Sequence, residues 1–182
     1  MIDVLQKKAL EYLAEPTLIP TFPEEILYTL CRHAPDNDVS LPVAYYHSVS
    51  PTFNLSKALE AYFLILCRAN VTEAFYFSRT QGDLNHRVLF EKLIAFVHAK
   101  SSGTLKAIRG VELVSLPLTK EEEDWFTAYL MEGKGSRLSG AADTLIMRET
   151  SNGHFENVQH RRSKGSEKID GVNWEILRAI PF

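Results

Sequence analysis

An all-α fold, in which stacked antiparallel helical hairpins form an irregular α-solenoid-like domain, is the architecture this sequence predicts. Three observations lead there. Apolar residues recur at three- and four-residue intervals along most of the 182 residues. Asn and Thr stand just ahead of several of those stripes, where a helix needs a side-chain oxygen for its free amides. No turn pair lies between two alternating apolar runs, as a β-hairpin would need; Asn152-Gly153 has helical pattern on both sides.

In chain order, Val4, Leu5, Ala9, Leu10 and Leu13 give an amphipathic helix over residues 3–14, stopped near Pro16. Thr21 opens the next. Its hydroxyl is spaced to accept the Glu24 amide, the Glu24 carboxylate to reach back, and Pro23 wastes no hydrogen bond in the first turn. Ile26, Leu27, Leu30 and Cys31 supply its apolar stripe. Pro35, Asp36, Asn37 and Asp38 then make a turn, and Ser40 and Pro42 begin a short helix that ends near Val49.

Asn54 precedes Leu55, Leu59, Tyr62, Phe63 and Leu66, the cleanest helical period in the chain. Asn70 caps another helix, with Glu73 at the capping-box position and Ala74, Phe75 and Phe77 in its body, ending near Gln81-Gly82. Asn85 leads into Leu89, Leu93, Ile94, Phe96 and Val97. Beyond Ser101-Ser102-Gly103 a short helix from Leu105 gives way to irregular chain, since Val111, Leu113, Val114 and Leu116 would make a strand without a partner. Thr119 and Glu122 repeat the capping-box spacing before Trp125, Phe126, Tyr129 and Leu130, and the acidic residues 121–124 suit the positive end of that helix. Gly133-Lys134-Gly135 ends it. Ala141, Ala142, Leu145 and Ile146 continue a helix to about Thr150, and Phe155 and Val158 mark the buried side of another over residues 154–160. A basic loop over residues 161–168 precedes a terminal helix over residues 170–180, within an apolar stretch that includes Ile169, Val172, Trp174, Ile176, Leu177 and Ile180. We expect one helical domain spanning residues 1–182, taken from a longer chain. Its packing residues should include Leu59, Phe63, Phe75, Leu89, Phe96, Trp125 and Phe126.

Composition narrows the function. Apolar residues make up 45% and aromatics 10%, enough for a sizeable core. Twenty Lys and Arg against 23 Asp and Glu leave a net charge of -3, so a nucleic-acid surface could only be a local patch. Two cysteines, Cys31 and Cys67, are too few for a disulfide framework or a thiolate metal cage. Charges break every apolar run short of the ~20 residues a membrane helix needs, and Asp3, Lys7 and Lys8 interrupt any leader. A soluble intracellular domain is expected.

Reactive constellations give no positive signal. There is no His-Glu-x-x-His pair or close Cys pair, so we expect no metal and no cofactor. His154 and His160, six apart, read as surface residues, and His33, His47, His86 and His98 are scattered. Gly133-Lys134-Gly135-Ser136-Arg137 lacks the rest of a phosphate-binding loop and reads as a flexible connection. Ser136 and Ser139 have no nucleophile elbow, and neither cysteine has an acid-base partner at a diagnostic spacing. Residues 121–124 read as a solvated acidic run rather than opposed catalytic carboxylates. His160, Arg161, Arg162, Lys164 and Lys168 concentrate positive charge that could meet nucleic acid, an acidic protein or a membrane edge; a solvated linker accounts for it more simply.

Several blocks carry a family resemblance. They are Ala9-Leu10-Glu11-Tyr12-Leu13 with Pro16-Thr17-Leu18-Ile19-Pro20, then Val71-Thr72-Glu73-Ala74-Phe75-Tyr76-Phe77-Ser78-Arg79, then Arg109-Gly110-Val111-Glu112-Leu113-Val114-Ser115-Leu116-Pro117. Glu121-Glu122-Glu123-Asp124-Trp125-Phe126, Gly133-Lys134-Gly135 and residues 141–147 complete the series. In that order they resemble the conserved helical domain of fungal Elys-like nuclear pore complex assembly proteins. The resemblance implies a non-enzymatic structural module at the nuclear pore, in the nuclear envelope. Its partners would be nucleoporins of the Y-shaped scaffold complex, notably the propeller-and-helix proteins of the long arm. Trp174 and Phe182, with Arg161, Arg162, Lys164 and Lys168, are then candidate contact residues. The rival readings are a nucleic-acid or chromatin adaptor using residues 160–168, and a helical enzyme whose site residues meet only on folding.

Overall fold

Pro23 has no amide proton to place and a φ suited to a first helical turn, and the first described helix begins on it. The computed structural model describes residues 21–99 and 103–153, together with Lys8, Glu11 and Tyr12. Its elements are α1 (Pro23–His33), α2 (Ser40–Val49), α3 (Ser56–Ala69), α4 (Val71–Arg79), α5 (Asp83–Ala99), α6 (Gly103–Val114), α7 (Lys120–Met131), a 3-10 turn (Lys134–Arg137) and α8 (Ala141–Ser151). No strand occurs among the described residues, and the fold is all-α. Apart from Lys8, Glu11 and Tyr12, the helix expected over residues 3–14 lies outside the described residues. So do those expected over 154–160 and 170–180, and the basic loop over 161–168.

Two local caps have the form their spacing implies. Thr119 accepts the Glu122 amide while the Glu122 carboxylate accepts the Thr119 amide at 2.6 Å. The Asn70 side chain accepts the Glu73 amide at 2.9 Å, but the Asn70 amide itself donates to Leu66 O, so only half of the expected box exists.

Three expectations are corrected. Thr21 does not cap α1, whose N-cap is Phe22 without a side-chain bond. Glu24 is drawn away because it is buried against the start of α3, where one carboxylate oxygen accepts the amides of Asn54 and Leu55 at 3.0 and 2.5 Å. A carboxylate from α1 thus holds the chain leading into α3, whose N-cap is Leu55 with no side-chain cap bond rather than Asn54. Residues 111–114 are neither strand nor irregular chain but the last turn of α6, and the irregular stretch starts only at Ser115.

The third concerns Gly133-Lys134-Gly135, which is a packed turn rather than a flexible connection. A Cβ on Gly133 would lie 2.9 Å from the Tyr129 backbone, and one on Gly135 would lie 2.5 Å from the Tyr129 ring. The turn folds back over α7 so closely that only hydrogen fits there.

The core is aromatic at both ends. Tyr46, Phe53, Tyr62 and Phe77 form one cluster, with Tyr46 and Tyr62 stacked at 4.3 Å. Phe75, Phe90 and Phe126 form a second, linking α4, α5 and α7 at centroid distances of 5.5 and 6.2 Å. Phe63, Phe75, Phe90 and Phe126 are fully buried, and each contributes about 1.5–3 kcal/mol relative to exposure. Leu59, Leu89 and Phe96 are buried with them, whereas Trp125 is half-buried at the margin. Among the described residues every substantial helix–helix contact joins helices one or two places apart in the chain.

Phe75→Asp should abolish cooperative thermal unfolding, because it removes a ring from the junction of three helices and buries an unpaired carboxylate. Gly135→Ala should lower stability by about 1–3 kcal/mol in urea unfolding, as overpacking against Tyr129 requires. An unchanged midpoint for either would contradict the packing described.

Candidate functional site

Two features of the described residues stand out from the core: a polar cleft between α4, α5 and α7, and the outward side of α6.

The cleft has a volume of about 270 Å³ and is walled by Arg79, Asp83, His86, Glu121, Glu122 and Trp125. Arg79 and Glu122 at its centre are engaged with each other. Arg79 binds Glu122 through both carboxylate oxygens, at 2.8 and 2.7 Å, and also donates to Pro117 O at 2.9 Å. The Arg79 guanidinium lies 4.3 Å from the centre of the Phe75 ring. Burial favours the neutral form of Glu122, but the bonds from Arg79 and Thr119 outweigh it and hold its pKa below the usual value. His86 Nε2 lies 3.2 Å from Glu122 Oε1, out of line for a hydrogen bond, and its ring meets Trp125 edge-on at 5.3 Å. Burial lowers the His86 pKa against the opposing pull of Glu122, so the imidazole is neutral at pH 7. With its carboxylate ion-paired, Thr119 capping and the imidazole packed, the cleft is a clamp between helices.

The acidic run at the start of α7 is solvated only in part: Glu121 and Asp124 are exposed, Glu122 and Glu123 are not. Glu122 is 2% exposed, and Glu123 accepts from Arg148 Nε at 3.0 Å and from Asn152 at 3.0 Å. Buried Arg148 also donates to the carbonyls of Val114 and Leu116, closing the C-terminal end of α6. His98 is held similarly on α5, with Nδ1 3.1 Å from Ser139 O and Nε2 3.3 Å from the Thr144 hydroxyl. Burial lowers its pKa too, partly offset by the Ser139 contact.

Neither cysteine is poised for chemistry. Both are buried and free, burial pushes the Cys31 thiol up to about 12 despite nearby Arg68, and burial likewise raises Cys67. Among the described residues no group of three His, Cys, Asp or Glu could hold a metal ion. Nor is any helix there long and apolar enough to cross a membrane.

α6 is arranged the reverse of an ordinary surface helix. Its cations point inward: Arg109 donates to Arg68 O at 2.9 Å with its guanidinium 5.2 Å from the Phe96 ring centre, and Lys106 reaches Ser139 O at 3.4 Å. Its aliphatics point outward. Leu105, Ile108 and Val111, at three-residue spacing, are 57%, 51% and 55% exposed, while Leu113 and Val114 fill the inner side. Polar carbonyls inside draw the cations in, and the apolar stripe is left facing solvent. Sequence reading missed this face because it broke α6 after a short helix; the Leu105, Ile108, Val111 period was the available signal. The expected contact residues Arg161, Arg162, Lys164, Lys168, Trp174 and Phe182 lie outside the described residues.

The two lowered histidines and Glu122 fix the acid response. A histidine whose folded pKa lies below the usual 6.5 stabilises the fold fully above that value and less as pH falls below it. Glu122, lowered from 4.5, contributes above that pH and loses its contribution as pH falls through its folded value. The urea midpoint should drop in two stages, below about 6.5 and again below about 4.5, and His98→Gln should shrink the first stage. A flat profile from pH 7 to 5 would contradict the buried, neutral histidines. Separately, Arg148→Ala should cost about 3–5 kcal/mol, since it leaves two carbonyls and a carboxylate without their cation; a loss under 1 kcal/mol would contradict that clamp.

Comparison with known proteins gives one family. Residues 3–133, well over half of the chain, match the family described as "ELYS: Nuclear pore complex assembly". No curated protein and no solved structure matches. The match takes in α1 to α7, the cleft and the outward face of α6, and it places the protein at the nuclear pore complex, in the nucleus. By this match and its all-helical fold, the chain belongs to the ELYS family of nuclear pore complex assembly proteins.

Proposed function

We propose that this chain is a non-enzymatic structural module that docks onto nucleoporins of the Y-shaped scaffold complex, and that the outward face of α6 is its principal docking surface. The observation that carries the reading is the arrangement of α6: three aliphatic side chains half-exposed on one stripe while Arg109 is turned to a part-buried carbonyl and Lys106 to a surface one. An apolar stripe of this kind is the usual core of a helix-in-groove contact. Stacked hairpins suit such a role, because packing between near neighbours gives a rigid surface without an enclosed reactive pocket. Residues Arg161, Arg162, Lys164 and Lys168, with Trp174 and Phe182, are the further contact residues of this proposal. The Arg79–Glu122 pair in the cleft and the protonated, buried thiols support a non-enzymatic role.

The experiment is capture from nuclease-treated nuclear extract with the parent chain and an Ile108→Asp, Val111→Asp variant. Both positions are half-exposed, so thermal unfolding should change little. The expected result is stoichiometric scaffold nucleoporins on the parent and about tenfold less on the variant. Equal capture by both would sink the assignment of α6, and loss of parent capture on nuclease treatment would favour the nucleic-acid adaptor.

A further inference from the structure

Lys106, Arg109 and Glu112 are the only charged residues of α6. The two cations bond carbonyls, those of Ser139 and Arg68. Glu112 is partly exposed, and no described residue forms a hydrogen bond or ion pair with its carboxylate. It stands four residues after Ile108 and seven after Leu105, so it shares the side of the helix on which the aliphatic stripe lies.

Its place along the helix adds to the imbalance. Glu112 is in the last turn, where the free carbonyls already carry partial negative charge and a cation is the favoured neighbour, yet that turn has no basic residue of its own. Arg148 reaches the same end, but its guanidinium is held by the carbonyls of Val114 and Leu116 and by Glu123. The outward face of α6 therefore joins an apolar stripe about 9 Å long to one uncompensated carboxylate.

Size and charge together select what can cover such a face. Three half-exposed aliphatics offer no more than about 300 Å² of apolar surface, well under the about 800 Å² that each partner buries in a standard interface, so the stripe alone does not hold a second folded copy of this chain. A second copy would also bring the same face, whose exposed α6 positions include no cation for Glu112. A single helix meets both conditions. Side chains at i, i+3 and i+7 fill a stripe of this length, and one lysine or arginine beside that row reaches the carboxylate.

We infer that the outward face of α6 receives a single amphipathic helix from its partner, with aliphatic residues on Leu105, Ile108 and Val111 and a lysine or arginine at the edge of that row on Glu112. That the partner is a scaffold nucleoporin rests on the function proposed above; the form and charge of its helix do not. Docking shields the new ion pair from water, so a contact that is weak on an open surface gains strength and discriminates between helices of opposite charge.

Two synthetic helical peptides of about 14 residues test it. Both carry leucines along one face; beside that row one has lysines and the other glutamates. Binding to the full chain is followed by the fluorescence anisotropy of a dye on the peptide. At low salt the lysine peptide should bind about tenfold more tightly than the glutamate peptide, and Ile108→Asp should remove both. Glu112→Lys should reverse the preference, and Glu112→Gln should erase it. Glu25→Lys alters net charge by the same amount as Glu112→Lys but on α1, whose substantial contacts are with α2 and α3, and should leave the preference as it is. Equal binding of the two peptides would overturn the inference. So would a preference that responds to Glu25→Lys as much as to Glu112→Lys, since the overall charge of -3 would then be its source. If thermal unfolding shows Glu112→Lys to be misfolded, the size-matched Glu112→Gln decides. A preference set by Glu112, with full capture of nucleoporins by the Ile108→Asp, Val111→Asp variant, would defeat the docking proposed above and leave this inference intact. Loss of that capture without any peptide preference would do the reverse.

Discussion

Short helices leave amides and carbonyls unpaired at each end, and in this protein many of those ends are closed by a charged side chain from another helix. Glu24 of α1 holds the two amides just ahead of α3. Arg109 of α6 closes the end of α3 at Arg68 O, and Arg148 of α8 closes the end of α6. Arg79 of α4 grips the Glu122 that completes the cap of α7. A bond to a charged group contributes about 1.5–3 kcal/mol, more than most neutral pairs, and these are shielded from water. Each such cap also fixes which helix stands beside which, since the donor must arrive from a set direction.

That arrangement bears on the surface. Cations recruited to carbonyls inside the fold no longer dilute the apolar residues on the outside of their own helix. α6 is the clearest case, with Arg109 and Lys106 turned in and Leu105, Ile108 and Val111 turned out. The device that holds the stack together thus produces the apolar stripe that a pore-assembly module can present to a neighbour. The cleft beside α7 fits the same logic, its carboxylate and guanidinium being spent on each other.

How much of this was legible in sequence depended on range. The all-α class and the helices of residues 55–99 could be read because local period alone specifies them, and the Thr119–Glu122 cap because both partners lie within one turn. Thr21–Glu24 has the same spacing and misleads, since a buried carboxylate finds better donors 30 residues away in the chain. α6 was cut short because Val111 and Val114 have strand propensity, which helix packing overrides. Glu122 and Glu123 looked solvated because Arg79 and Arg148 are remote in sequence and adjacent only in the fold. The outward face of α6 stayed hidden because the helix was cut short, while the family blocks were visible.

If distant charges rather than local caps close these helices, Thr21 and Glu24 must behave oppositely despite their spacing. The most direct measurement is urea unfolding of Thr21→Ala and Glu24→Ala beside the parent. Thr21→Ala should change stability by no more than about 0.5 kcal/mol, and Glu24→Ala should cost about 1–3 kcal/mol by stripping two amides of their acceptor. A clear loss for Thr21→Ala with little or none for Glu24→Ala would contradict the account.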